Sequence, residues 1–134
     1  MRIRLATLDD VEKISEIAEI CKPYVTPMSV LYYLIYSISN IFVVEDKNVV
    51  AYLIAIKNPF TNSVLLHQMG VLPKYRKRGL ASALLQHASL KFKGLKMSFL
   101  VWKFNRCALK LYRKRGYKII NPNAWFGDMI EMAV

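Results

Sequence analysis

Two hydrophobic rhythms divide the chain. Apolar residues recurring every three or four positions mark the buried face of a helix. Apolar residues that alternate, or run together between turn formers, mark a strand. Ile3 to Leu5 reads as a short first strand. Thr7-Leu8-Asp9-Asp10 opens a helix, with Thr7 placed to cap it and Asp10 favoured by its dipole. Val11, Ile14, Ala18 and Cys21 form that helix's stripe. Lys22-Pro23-Tyr24-Val25 is a break. Thr26-Pro27 restarts a helix, with Pro where a missing N–H costs least. Met28, Leu31, Leu34, Ile35 and Ile38 give it an apolar face, and Tyr32, Tyr33 and Tyr36 crowd that face, as amphipathic packing rather than as substrate contacts, though they suit either. Ile41–Glu45 and Val49–Ile56 flank the turn Asp46-Lys47-Asn48 as a hairpin. A turn at Asn58–Asn62 leads to the strand Ser63–Val71. Pro73 then stops strand pairing. From Gly79 the period changes, and Ala81, Leu84, Leu85, Ala88 and Phe92 make a helical face that Gly94 ends. Lys96–Trp102 is a strand. Asn105 caps a helix carrying Ala108, Leu111 and Tyr112, which Gly116 ends. Tyr117–Ile120 and Trp125–Val134 are two last strands around Asn121-Pro122-Asn123.

This order predicts one mixed α/β sheet with helices against it. No composition shift or repeat interrupts the pattern, so residues 1–134 form one domain, long enough to bury a core. Apolar residues make up 54% of the chain, which argues against disorder. The longest near-apolar run, Val30–Ile38, is too short to span a bilayer, so no membrane role is expected. Met1-Arg2-Ile3-Arg4 runs straight into patterned structure, without the look of a signal peptide. Cys21 and Cys107 are far apart and lack metal-type neighbours. They read as free cysteines of a reducing cytoplasm.

The charge balance is strongly basic, with 20 Lys and Arg against 9 Asp and Glu, a net +11. Such a surface suits an anionic ligand, an acidic substrate or a nucleic acid, and charge alone does not choose. The strand–turn–helix stretch Met69–Leu85 narrows the choice. Its turn holds Arg76, Lys77 and Arg78, and no acidic residue lies between Val71 and Phe92. The first N–H groups of the following helix lack internal partners and carry partial positive charge. Gly79 and the small Ala81 let a ligand approach the backbone. The turn therefore suits a multiply charged anion such as a pyrophosphate. Taken alone it also suits a solvated basic loop. It lacks the Gly-Lys-Ser/Thr of a P-loop and the Gly-x-Gly-x-x-Gly of a dinucleotide fold.

Two motifs at this separation, in this order of elements, extend the reading. Val71-x-Pro73-x-Tyr75-Arg76-x-x-Gly79-x-Ala81 resembles the CoA-pyrophosphate turn of the GNAT superfamily of acyl-CoA-dependent N-acyltransferases. Asn105-x-x-Ala108-x-x-x-Tyr112-x-x-x-Gly116-Tyr117 resembles that family's helix after the fifth strand. The resemblance covers nearly the whole chain. It implies a mainly antiparallel sheet of about seven strands with about four helices, splayed between the fourth and fifth strands. It places the pyrophosphate on the backbone of Lys77, Arg78, Gly79, Leu80, Ala81 and Ser82, with Arg76 adding charge. The backbone of Met69 and Val71 would pair with the pantetheine arm like an added strand, and Gly70 suits the bulge that starts the splay.

The same resemblance implies the chemistry. Acetyl-CoA is the acyl donor, no metal is needed, and a primary amine attacks the thioester directly. A backbone N–H near Val71 polarises the carbonyl. Asn105 would hydrogen-bond the pantetheine arm, beside or instead of capping its helix. Tyr112 would protonate the leaving thiolate, since a phenol near pKa 10 suits a thiolate near 8.5; otherwise it is a core aromatic. The strand positions where relatives often carry a base are Leu65 and Leu100 here. His67 is the nearby ring nitrogen; if the strand is regular it faces as Leu65 does and would take the amine's proton through a water as the catalytic base, and its bland reading is a satisfied polar residue in a sheet. His87 reads as structural, and Glu45 and Asp128 are further acidic candidates. Tyr24, Trp125 and Phe126 lie on the loops expected to meet the acceptor. That acceptor is a protein N-terminal α-amine, or a small amine or polyamine. A CoA-binding module without catalysis is the alternative, and a final strand that pairs between subunits would allow a homodimer. Nucleic acid is not expected, because the charge clusters at the phosphate turn and no nucleic-acid motif accompanies it.

Overall fold

The computed structural model of the protein describes residues 1–21, 32, 39–124, 127 and 129–133. Apart from Tyr32, the helix predicted after Thr26 lies outside these residues, as do Tyr24, Trp125, Phe126 and Asp128. The described elements are β1 (Arg2–Leu5), a 3-10 turn (Leu8–Asp10), α1 (Val11–Cys21), β2 (Ser39–Asp46), β3 (Asn48–Asn58) and β4 (Ser63–Val71). They continue through a 3-10 turn (Pro73–Tyr75), α2 (Leu80–Lys91), β5 (Lys96–Trp102), α3 (Arg106–Lys114), β6 (Lys118–Ala124) and β7 (Met129–Ala133). Seven strands form one sheet in the order β1-β2-β3-β4-β5-β7-β6. The β4–β5 pair is parallel and the other neighbours are antiparallel.

The sheet separates two cores. On one face Ile14, Ile17 and Ala18 of α1 pack on Ile41, Val43, Tyr52 and Ile54. On the other, Leu80, Leu84, Leu85 and Ala88 of α2, with Tyr112 of α3, pack on Phe42, Leu53, Leu66 and Phe99. β3 is an inner strand between β2 and β4 and is buried from Val49 to Ala55, so it reads as a near-continuous apolar run rather than an alternation. His87 lies edge-on to Phe42, with ring centroids 5.1 Å apart, as a packing residue.

Two sequence expectations change. Asn121-Pro122-Asn123 lies inside β6, not in a turn. β6 is the outer strand of the sheet, where a missing proline N–H breaks no ladder, and two register shifts against β7 take up the irregularity. The bulge is also not at Gly70. Ile54 pairs with Gln68 and the next residue, Ala55, pairs with Leu66, so His67 is the extra residue. Gly70 answers a different need: a Cβ there would stand 2.6 Å from Cε1 of the buried Tyr52 ring.

The sheet opens at the His67 bulge. β4 and β5 pair from Ser63↔Lys96 to Leu66↔Phe99 and no further, although both strands continue. A bulge bends its strand and increases local twist. Beyond Leu66 the two strands diverge, and a V-shaped gap opens between them.

Candidate active site

The turn after β4 is shaped by local backbone chemistry. Pro73 begins a 3-10 turn, and Lys77 and Gly79 both take left-handed conformations, with φ of 62° and 80°. Gly79 is the N-cap of α2 and has no side chain to offer its first amides. Ala83 N–H already bonds the Gly79 carbonyl at 2.9 Å, so the amides of Leu80, Ala81 and Ser82 remain the open donors of the helix. A Cβ at Gly79 would meet nothing within 4 Å, so the approach to these amides is clear. Lys77 and Arg78 are exposed, and the Arg78 guanidinium lies 5.1 Å from the centre of the Tyr75 ring. Arg115 of the turn after α3 donates to the Ser82 carbonyl at 3.5 Å, so a further cation stands at this helix end.

Arg76 takes another course. Its Nε donates to the Val71 carbonyl at 3.0 Å, and its Nη2 lies 3.3 Å from Cys21 Sγ. The Cys21 thiol also donates to the Val71 carbonyl, at 3.6 Å. The guanidinium thus folds back along the end of β4 toward α1, away from the amides of α2. It marks which way the strand edge faces. Leu72 N–H bonds the Val50 carbonyl of β3 at 3.0 Å. Successive residues of a strand send their backbone groups to opposite edges. Met69 and Val71 therefore direct N–H and C=O to the edge that β5 has left.

That edge borders a cleft of about 520 Å³ lined by Ile20, Cys21, Met69, Val71, Asn105 and Tyr112 among others. A narrower space continues from it into the V, past His67, Gln68 and Leu100. Asn105 ends β5's exit turn and caps α3, its Oδ1 accepting from Ala108 N–H at 3.2 Å, and it still lines both spaces. Tyr112, two turns further along α3, is 6% exposed and stacks on Phe99 with centroids 3.8 Å apart and planes 13° from parallel. Burial pushes its phenol well above the ordinary tyrosine value. It stays protonated throughout the physiological range.

The proton-accepting groups are arranged less as the sequence suggested. Glu45 is removed from consideration as a base. Arg2 and Arg4 each hold it at 3.1 Å, and the Arg4 hydrogen bond keeps its carboxyl below the usual carboxylate range. His67 sits at the bulge, so the alternation that would align it with Leu65 is broken there. It lines the space in the V together with Leu100. The sequence alone did not bring Glu131 near Leu100. In the β5–β7 register Glu131 stands opposite Leu100, and paired residues share a face of the sheet. That face is the one turned away from Phe99 and Met132, on the side of α1. Gln68 was visible as a polar residue in an apolar strand; its Oε1 accepts from the Tyr52 hydroxyl at 3.3 Å. Among the described residues, no three His, Cys, Asp or Glu gather as a metal site.

Comparison with known proteins bears on this arrangement. The family model described as "Acetyltransferase (GNAT) domain" matches residues 37–119. No curated protein sequence matches the chain. Solved structures share the fold at low identity. Ard1 from Thermoplasma volcanium superposes with a TM-score of 0.83 at 21% identity, covering 99% of this chain and 95% of that one. The ribosomal-protein-S18-alanine N-acetyltransferase from Escherichia coli gives 0.85 at 19%, covering 99% and 92%. An aminoglycoside 6'-N-acetyltransferase complexed with coenzyme A gives 0.84 at 17%, covering 100% and 96%. With a glycine turn of open amides, a strand edge exposed by a splay and a tyrosine above it, and with the family model covering most of its length, the chain belongs to the GNAT family of acetyl-CoA-dependent N-acetyltransferases.

Proposed function

We propose that this acetyltransferase acts on an unhindered primary α-amine, such as a protein N-terminus, by direct attack on the thioester. The observation that carries the reading is the single path from turn to tyrosine. The amides of Leu80, Ala81 and Ser82, with Gly79 leaving room and Lys77, Arg78 and Arg115 nearby, suit the CoA pyrophosphate. The edge of Met69 and Val71 suits the pantetheine arm as an added strand, once the Arg76 guanidinium leaves the Val71 carbonyl. Asn105 and Tyr112 then stand beside the arm and the thioester sulfur.

What lines the V supports this choice of acceptor. The lining residues include no carboxylate among those described. An α-amine near pKa 8 needs far less help to lose its proton than a lysine or polyamine amine near 10.4. His67 at the bulge, or Glu131 through a water, is enough to take that proton. With its pKa raised, Tyr112 gives a poor proton to a thiolate near 8.5, but a good hydrogen bond. Its role is to stabilise the sulfur as the C–S bond breaks, while the amine nitrogen bonds to the acetyl carbon and sheds its proton.

The test is an acceptor panel of free-N-terminus peptides, the same peptides α-blocked with a free lysine, and spermidine. Free-N-terminus peptides are expected to be acetylated fastest, with kcat/KM rising up to about pH 8 and then levelling. A rate that keeps rising toward pH 10 with spermidine or lysine as the better acceptor would reject the α-amine reading. The relatives' names span both kinds of acceptor: a ribosomal-protein alanine for one and an aminoglycoside for another.

A further inference from the structure

The basic charge of this chain is segregated. From Lys47 to Gly127 there is no Asp or Glu, yet the stretch carries sixteen Lys and Arg. Five of the nine acids lie between Asp9 and Glu19, on or beside α1, on the opposite face of the sheet from α2 and α3. The phosphate turn accounts for only part of the positive side, so the expectation that the charge clusters there, and with it the ground for setting nucleic acid aside, does not hold for the folded chain.

α3 supplies a separate part. Its residues at 107, 108, 111 and 112 line the cleft. Arg106, Lys110, Arg113 and Lys114 follow at intervals of four, three and one, which winds them round the other side of the helix. All four are exposed, and the ion pairs among the described residues involve only Arg2, Arg4 and Lys13. Phe104 stands at the start of this stripe, 76% exposed and stacked on Trp102 with centroids 5.8 Å apart. Exposed Lys118 continues the charge beyond the helix. The CoA site does not account for these residues, since they point away from the cleft.

We infer that the outer face of α3, with Phe104, is a docking surface for single-stranded nucleic acid. Four cations spread over about 12 Å of helix match the backbone of a few nucleotides. An exposed aromatic ring beside a cationic track offers a base a stacking face. An acidic protein would satisfy the cations but leave Phe104 unexplained. The inference is independent of which amine is acetylated.

The test is fluorescence anisotropy of a labelled twelve-residue oligouridine with the full chain across a KCl series. Acetyl-CoA affinity is measured in parallel as the control for folding. The expected log–log salt slope is roughly −3, from four phosphates at about 0.7 each. Lys110→Glu with Arg113→Glu is expected to weaken RNA binding at least tenfold and flatten the slope. Phe104→Ala is expected to weaken binding roughly fivefold or more at unchanged slope. Acetyl-CoA affinity stays unchanged in both. The proposal is overturned if saturating acetyl-CoA displaces the RNA, which would place it in the phosphate turn. It is overturned equally if polyglutamate competes as well as RNA while Phe104→Ala has no effect, or if binding is insensitive to salt.

Discussion

Tyr112 shows how one side chain is tuned by its surroundings. Stacking on Phe99 fixes its ring, and burial raises its pKa, so it remains a donor at every working pH. Tyr112→Phe keeps the stack and removes only the hydroxyl. We expect kcat to fall about tenfold to a hundredfold with KM for acetyl-CoA nearly unchanged, because the lost hydrogen bond strengthens only as charge develops on sulfur. Steady-state kinetics on purified protein checks this; an unchanged kcat would remove Tyr112 from the chemistry. Gly79 and Gly70 illustrate two uses of one residue type. Gly79 is required by a left-handed backbone, whereas Gly70 is required by the ring that lies against it. Periodicity and turn chemistry point to the first kind, and a single sequence does not show the second.

The elements were largely legible because their signals are local. A helical stripe, a capping asparagine and a terminating glycine each depend on residues within a turn or two. Asn105 capping α3 and Gly116 closing it are examples. Pairing is different. β7 brings Glu131 beside Leu100 across thirty-one positions of sequence, and nothing near either residue announces it. If Glu131 accepts the amine proton through a water, Glu131→Gln should lower kcat/KM about tenfold at pH 7 and progressively less above the amine's pKa. His67→Ala serves as the contrast. A loss in only one of the two pH–rate profiles identifies the base, and two wild-type profiles would show that a neutral α-amine needs neither.

Across the whole molecule, charge organises stability as well as recognition. Arg4 joins β1, the turn into α1 and β2 by bonding Asp10 at 2.8 and 3.0 Å and Glu45 at 3.1 Å. Asp10 also accepts from Thr7 N–H at 2.8 Å, and the Arg4 hydrogen bond is the main force lowering its pKa. A carboxyl lowered on folding contributes stability at and above its unfolded value near 3.9, and loses it as pH falls through the folded value. Stability should therefore hold from pH 7 to about 5 and decline below about 4. Asp10→Asn should cost about 2 kcal/mol at pH 7 and make the acid decline shallower, as read by urea unfolding at several pH values. A mutant curve parallel to wild type would show that other carboxylates govern the decline.

Spacing and backbone preferences over a few residues are enough to set the order of the described elements, the kind of most of them, the open glycine turn and the resemblance to the family. The tertiary structure decided where the sheet opens, which way Arg76 folds, and which carboxylate stands beside Leu100. It also placed the cations of α3 on the face turned from the cleft. Each of these depends on strand register and packing between segments far apart in the chain, where a shift of one residue moves a side chain to the other face of the sheet. His67 is the case in point: in a regular strand it would share a face with Leu65, but as the bulge it is the residue at which β4 and β5 part.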